Sequence, residues 1–172
     1  MFRERGFDAV NLDQLMKQAG LTRGAFYAHY RSKSALLSDV LRHEHPLLRM
    51  LEARDGTSPI DLHSQMKGVF DGYLDPKNLE EVFRGCTLAA LTGDATRADA
   101  DVKNAFGAAF EEICNEMARG QGRDGTEYVA ALILASGAVR SAQAVEGDVL
   151  RARILNNSKA AFQALLPSSS GD

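Results

Sequence analysis

Apolar residues along this chain recur at intervals of three and four, the spacing that lines one face of a helix, and nowhere alternate convincingly as they do in half-buried strands. Leu12, Leu15, Met16 and Ala19 form the first such row, with Asn11 placed to cap it. Leu36, Leu37, Val40 and Leu41 form a second, capped by Ser32, and the pattern predicts one connecting helix over Ser32–Arg54. Further rows follow at Met66, Phe70 and Tyr73, at Phe83, Cys86 and Ala90, and at Phe106, Phe110, Cys114 and Met117. Small residues dominate Ala130, Ala131, Ala135, Ser136, Gly137, Ala138, Ser141 and Ala142, and Val149 to Leu166 makes a last amphipathic helix. Breaks fall at Ala19-Gly20, Arg31-Ser32, Asp55–Pro59, Asp75-Pro76, Thr92–Asp99, Gly120–Gly125 and Glu146-Gly147. Ser58-Pro59 reads as a cap followed by proline at the first helical position. Between these breaks the pattern predicts eight or nine helices and an all-α fold. Pro167 and the serines after it read as a stop and a loose tail.

Composition narrows the class. With 172 residues, 45% hydrophobic and 25% charged, the chain can bury a core, and it carries too little Gly and Pro for a low-complexity segment. Its most apolar stretch, Tyr128–Val139, ends at Arg140, short of the roughly 18 apolar residues of a membrane span. The N-terminus lacks the apolar run of a secretory signal, so a cytoplasmic location and free thiols at Cys86 and Cys114 are expected.

The net charge of −3 conceals an asymmetry: residues 1–54 carry +3 and the remainder −6. Gln14–Ser38 contains Lys17, Arg23, Arg31 and Lys33, no acid, and the aromatics Phe26, Tyr27 and Tyr30. Within it, Gly20 supplies a tight turn, Leu21 plugs the angle between two helices, and Thr22 caps a short second helix, which is the spacing of a helix-turn-helix. The first turn of that second helix, with Thr22, Arg23 and the small Gly24, suits close approach to a DNA groove. Arg23 can donate to guanine N7 and O6. Lys33, in the first turn of the next helix, joins a cation to free backbone N–H groups and reads as a phosphate contact.

Gly6–Asn11 followed by Leu15–Leu36, with its glycine-aromatic lead-in, Ala-Gly-Leu turn, Tyr-Ala-His-Tyr helix end and Lys33, resembles the DNA-binding domain of TetR-family transcriptional regulators. The resemblance implies an all-α homodimer, an N-terminal DNA module, a larger effector-binding bundle, and release of operator DNA when a small apolar or amphipathic ligand binds. Carried over to this chain, Thr22, Arg23 and Gly24 face DNA, while Tyr27, His29 and Lys33 hold the phosphate backbone. Asn11 stands where Ser or Thr is usual and can cap or reach a phosphate. Tyr27 and His29 each retain a second reading as packing or capping residues. Leu15-Met16 departs from the commoner Ile-Ala, and the family's first helix is largely missing before Met1. Three parts are therefore expected: an N-terminally incomplete helix-turn-helix domain over 1–38, an effector-binding and dimerisation bundle over 39–166, and a tail over 167–172.

Beyond residue 50 the resemblance weakens, although Arg84–Leu91 is similar to a subgroup with a Gly-Cys start to a central helix. Phe70, Tyr73, Phe83, Cys86, Phe110 and Cys114 are the candidate pocket residues, and core packing explains the same rows. Cys86 follows Arg84-Gly85, which favours a sensing thiolate, against the alternative of a buried apolar thiol. A thiol- or ligand-sensing bundle without a DNA role is accordingly the alternative function. The final two helices supply a dimer face or an intrachain core; a two-fold reader of a palindrome favours the former. Gly120–Gly125 spells G-x-G-x-x-G, but it follows a helix rather than a strand and reads as an interhelical loop. Neither a metal-ligand spacing nor a nucleophile motif stands out, so no cofactor, metal or enzymatic activity is expected.

Overall fold

A computed structural model of the chain describes residues 1–166, and the side chains of all of these except 83–85. Among the described residues there are eleven α-helices, two 3-10 turns and no strand. The N-terminal set is α1 (Phe2–Arg5), α2 (Leu12–Ala19), α3 (Arg23–His29) and α4 (Lys33–His43). The bundle comprises α5 (Pro46–Glu52), α6 (Pro59–Tyr73), α7 (Leu79–Gly85), α8 (Thr87–Arg97), α9 (Ala100–Met117), α10 (Val129–Ala144) and α11 (Asp148–Leu165). The expected stop at Pro167 and the tail over 167–172 lie outside the described residues.

Caps account for most helix starts. Asn11, Thr22, Ser32, Ser58 and Asp99 each accept from the backbone N–H three residues on, satisfying a donor that the helix cannot. Gly20 closes α2 at φ 69°, a left-handed conformation in which a side chain would be strained. The expected single helix over Ser32–Arg54 is instead two. Pro46 lacks a backbone N–H and starts α5, and the chain turns at Glu44-His45, where His45 Nε2 donates to Leu41 O at 2.5 Å. More helices than expected follow from this break and from the short α1 and α7.

Two apolar clusters hold the molecule together. In the larger, Phe70 of α6 stacks on Phe162 of α11 with centroids 4.4 Å apart, among Met66, Met117, Tyr128 and Leu132. The smaller joins Phe2, Val10, Leu37 and Leu41 to Leu91 and Ala95 of α8 and to Val102 and Ala105 of α9. The back of the N-terminal helices is thus covered by the bundle. At the place expected for a longer first helix stands the single turn α1, whose Phe2 is buried. The boundary expected at residues 38 and 39 falls inside α4.

Not every expected packing residue is inside. Leu21, expected to plug the helix angle, is exposed, and of the row on α2 only Met16 is fully buried. Along α10 the small residues divide: Ala131, Ala135, Ala138 and Ala142 pack inward, while Ala130, Gly137 and Ser141 face out beside the exposed Ile133. On α11, Leu155 and Phe162 are buried, whereas Val149, Leu150 and Leu165 are exposed.

The Gly120–Gly125 loop is explained by packing. Gly120 and Gly122 have positive φ, a Cβ on Gly120 would strike Leu62, and one on Gly125 would meet the Asn115 backbone nitrogen at 2.7 Å. The loop carries α9 into the 3-10 turn at residues 125–128, and no strand precedes it.

Candidate nucleic-acid interface and ligand cleft

Helix α3 presents Arg23, Gly24, Tyr27 and Ala28 to solvent and buries Phe26 on the opposite side. Phe26 meets Tyr27 edge-on at 5.2 Å and Tyr30 at 5.6 Å, so one buried ring seats the helix. Tyr30 is in turn fixed by donating its hydroxyl to Asp39 at 2.6 Å, a bond that pushes the phenol above its ordinary pKa. The structure therefore brings together Thr22, Arg23, Gly24, Tyr27 and His29 as exposed residues of one short helix and its cap. Thr22 and Asn11 both act as caps, their side-chain oxygens 3.2 Å from Ala25 N and 2.8 Å from Gln14 N. A Cβ at Gly24 would meet only Thr22 Oγ1 at 3.7 Å, so the surface there is open.

Arg23 is not alone. Its Nε lies 2.5 Å from Asp13 Oδ1 and its Nη2 donates to Asp13 Oδ2 at 3.0 Å, a two-point pair between α3 and α2 with both side chains exposed. Asp13 carries one signal in the sequence, its position as the acid that bounds the acid-free stretch.

Lys33 occupies a different place from the one expected. Its ammonium donates to the carbonyls of Phe7 and Val10 at 2.8 and 2.9 Å and sits 4.1 Å above the Phe7 ring. The lysine clamps the α1–α2 loop onto the start of α4, using the donors that a phosphate would need.

Of the candidate pocket residues whose side chains are described, Tyr73 and Cys86 line one cleft, and Phe70, Phe110 and Cys114 lie elsewhere. A cleft of about 250 Å³ opens between α5, α6 and α7, lined by Leu47, Met50, Tyr73, Glu81, Val82 and Cys86, among others. Phe110 lines a separate hollow of about 220 Å³ with Leu88, Phe106, Ser136 and Arg140. Phe70 and Cys114 belong to the larger core, where burial pushes the Cys114 thiol up to about 11. The side chain of Phe83 lies outside the described residues. The cleft residues Leu47 and Met50 went unnoticed because the sequence reading ran one helix through Pro46.

Cys86 ends α7 and caps α8, where it accepts from Ala89 N at 3.4 Å. The Tyr73 hydroxyl donates to its sulfur at 2.9 Å. Burial nevertheless dominates and pushes the thiol above its ordinary pKa. Burial thus works against the thiolate that a neighbouring cation would favour, and the side chain of the expected cation, Arg84, lies outside the described residues. Beside it, Thr87 Oγ1 donates to Glu44 O, linking the start of α8 to the end of α4.

Residues 1–40 match the family profile described as bacterial regulatory proteins, tetR family. The match covers the N-terminal part of the chain, which is similar to the DNA-binding region of that family. The chain is also similar to the Tn10 transposon TetC protein of Escherichia coli, 36% identical over 78 residues, 44% of this chain and 38% of that one. The regulator AcrR of Shigella flexneri is 40% identical over 40 residues, which are 23% of this chain and 19% of AcrR. An HTH-type regulator of Bacillus subtilis, YerO, is 40% identical over 37 residues, 22% of this chain and 13% of YerO. Each alignment therefore spans well under half of the relative. The fold is similar to that of reduced E. coli NemR, with a TM-score of 0.69 over 98% of this chain and 92% of that one, at 16% identity. Among the described residues no helix is long and apolar enough to cross a membrane.

Proposed function

We propose that this chain is a ligand-responsive, DNA-binding transcriptional regulator of the TetR family that acts as a homodimeric repressor. The observation that carries the reading is the exposed face of α3: Arg23, Gly24 and Tyr27 stand outward on a helix seated by Phe26, behind a cap and a left-handed glycine turn. A short helix of this kind reads only a few base pairs, and two copies related by a two-fold axis read a palindrome. Outward small and apolar residues on α10 and α11, namely Ala130, Ile133, Gly137, Val149 and Leu165, support those helices as the dimer face. The cleft at Tyr73 and Cys86 supports a compact apolar or amphipathic effector, because Thr87, next in sequence to Cys86, bonds the C-terminal end of α4. AcrR and YerO are described as transcriptional regulators, which supports a regulatory rather than a catalytic reading.

Selection of bound fragments from random duplex DNA at two salt concentrations tests it. Enrichment of a palindrome is expected, with binding falling at a slope of about −0.9 per neutralised phosphate against log salt. Arg23→Ala is expected to cost on the order of 1–3 kcal/mol and relax preference at one base pair per half-site. A folded dimer that enriches no sequence would shift the function to ligand sensing without DNA. Sedimentation as an 18.6 kDa species at micromolar concentration would remove the dimer.

A further inference from the structure

We propose that Asp13 is a positioning residue for base readout: its carboxylate holds the Arg23 guanidinium by one edge so that the other edge is presented to a guanine. The inference rests on the DNA-reading role of α3 and deepens it.

An arginine has five N–H donors in a planar fork. Asp13 engages Nε and Nη2, the lateral edge, at 2.5 and 3.0 Å. The terminal edge, formed by one N–H on each Nη, remains available, and it is the edge whose spacing matches guanine N7 and O6. A free arginine must freeze four side-chain torsions to make that bidentate contact; one already held at its lateral edge has less freedom to lose.

The charge pattern supports the same assignment. From Gln14 to Ser38 there is no acid, so Asp13 is the carboxylate nearest in sequence to a surface meant for phosphates. An unpaired carboxylate there would repel DNA, whereas one neutralised by Arg23 need not. Asp39, which bounds the stretch at its other end, accepts from the Tyr30 hydroxyl and also lies 3.5 Å from His43 Nε2. Each acid flanking the basic stretch is thus committed to a side chain within or next to it.

The test is a double-mutant cycle on the full chain, with binding to the selected operator, to operators changed at single base pairs, and to random duplex. Asp13→Ala is expected to lower the ratio of operator to mismatched binding about two- to fivefold at the base pair that Arg23→Ala identifies, and nowhere else, the range of an exposed ion pair. Binding to random duplex is expected to hold or strengthen, since a negative charge is removed. In an Arg23→Ala background Asp13→Ala should leave the ratio unchanged. Asp13→Asn, which keeps an acceptor without the charge, should lie between parent and Asp13→Ala.

An unchanged ratio in Asp13→Ala, or an equal loss in both backgrounds, overturns the proposal. So does a rise in both operator affinity and the ratio, because Asp13 would then sequester Arg23 from DNA. If the parent protein selects no sequence at all, the DNA-reading function fails first. If it selects one and Arg23→Ala does not alter it, the role of Arg23 fails and that of Asp13 with it.

Discussion

Helices α2 and α3 and the bundle around Phe162 are stabilised by different means. The two short helices together bury completely only Met16 and Phe26, and their positions are fixed by caps, a left-handed glycine, the Arg23–Asp13 pair and the Lys33 clamp. The bundle is fixed by contact between large apolar side chains, with Phe70, Phe162, Met66, Leu132 and Tyr128 all fully inside. Burial of apolar area dominates folding energy, whereas a cap contributes about 0.5–2 kcal/mol and an exposed pair about 1 kcal/mol or less. Helices α2 and α3 are therefore expected to open first, with local free energies well under that of the whole chain. For the DNA-reading role proposed for α3, such a division would let the geometry of that surface adjust without loosening the core.

The sharpest way to break the comparison is Phe162→Ala. Removing a ring stacked inside the bundle is expected to cost roughly 3–5 kcal/mol and to lower the denaturation midpoint of the whole chain, N-terminal helices included. Loss of only part of the helical signal in circular dichroism would show that the two regions unfold separately. Next in size is Lys33→Ala, which strips two carbonyls of a charged donor and is expected to cost about 1–3 kcal/mol. Faster amide exchange should appear in α2 and α3 while the bundle keeps its protection. This variant should also weaken binding to all DNA sequences with an unchanged salt slope. A slope smaller by about 0.9 would instead restore Lys33 to the phosphate contact first expected of it.

Thr22→Ala is expected to cost about 0.5–2 kcal/mol, confined to α3 and visible as exchange of its first turn. The smallest expected effect is that of pH. Burial holds His45 and His63 below the ordinary imidazole pKa, so the unfolded chain binds more protons than the folded one as pH falls below about 6.5. Stability contributed by these neutral rings is present above that pH and declines on acidification. Melting temperature measured from pH 7.5 to 5 should fall, and should fall less when both are replaced by Gln.

The local devices of the N-terminal region were those most legible in the sequence. Asn11, Thr22, Ser32 and Gly20 work through neighbours three or four residues away, so their roles could be read without knowing the fold. The outward place of Arg23 on α3 followed from the helix-turn-helix spacing, whereas the burial of Phe26 was not foreseen. The Lys33 clamp was not legible, because its partners, the carbonyls of Phe7 and Val10, are 26 and 23 residues distant and leave no periodic trace. Leu21 was assigned to the interior on hydrophobicity, but the turn leaves it outside. The candidate pocket dispersed for a related reason: rows on α6, α8 and α9 show which faces are apolar, not which of them meet and which stay apart. Pro46 was a visible break that the longer apolar pattern obscured, and with it the wall of the cleft.

Position 125 illustrates how intolerance to mutation can be independent of function. Gly125 lies where any side chain would collide with the backbone of α9 at Cys114 and Asn115. In a library of all single substitutions, this site should tolerate almost nothing, while neighbouring Asp124 and Thr126 accept many replacements. A screen scored on repression alone would then place Gly125 beside Arg23 in importance, although it touches neither the helix-turn-helix nor the cleft. Scoring the same library for abundance as well would separate the two: variants at 125 would vanish from both measures, whereas variants at 23 would persist as folded protein without regulation.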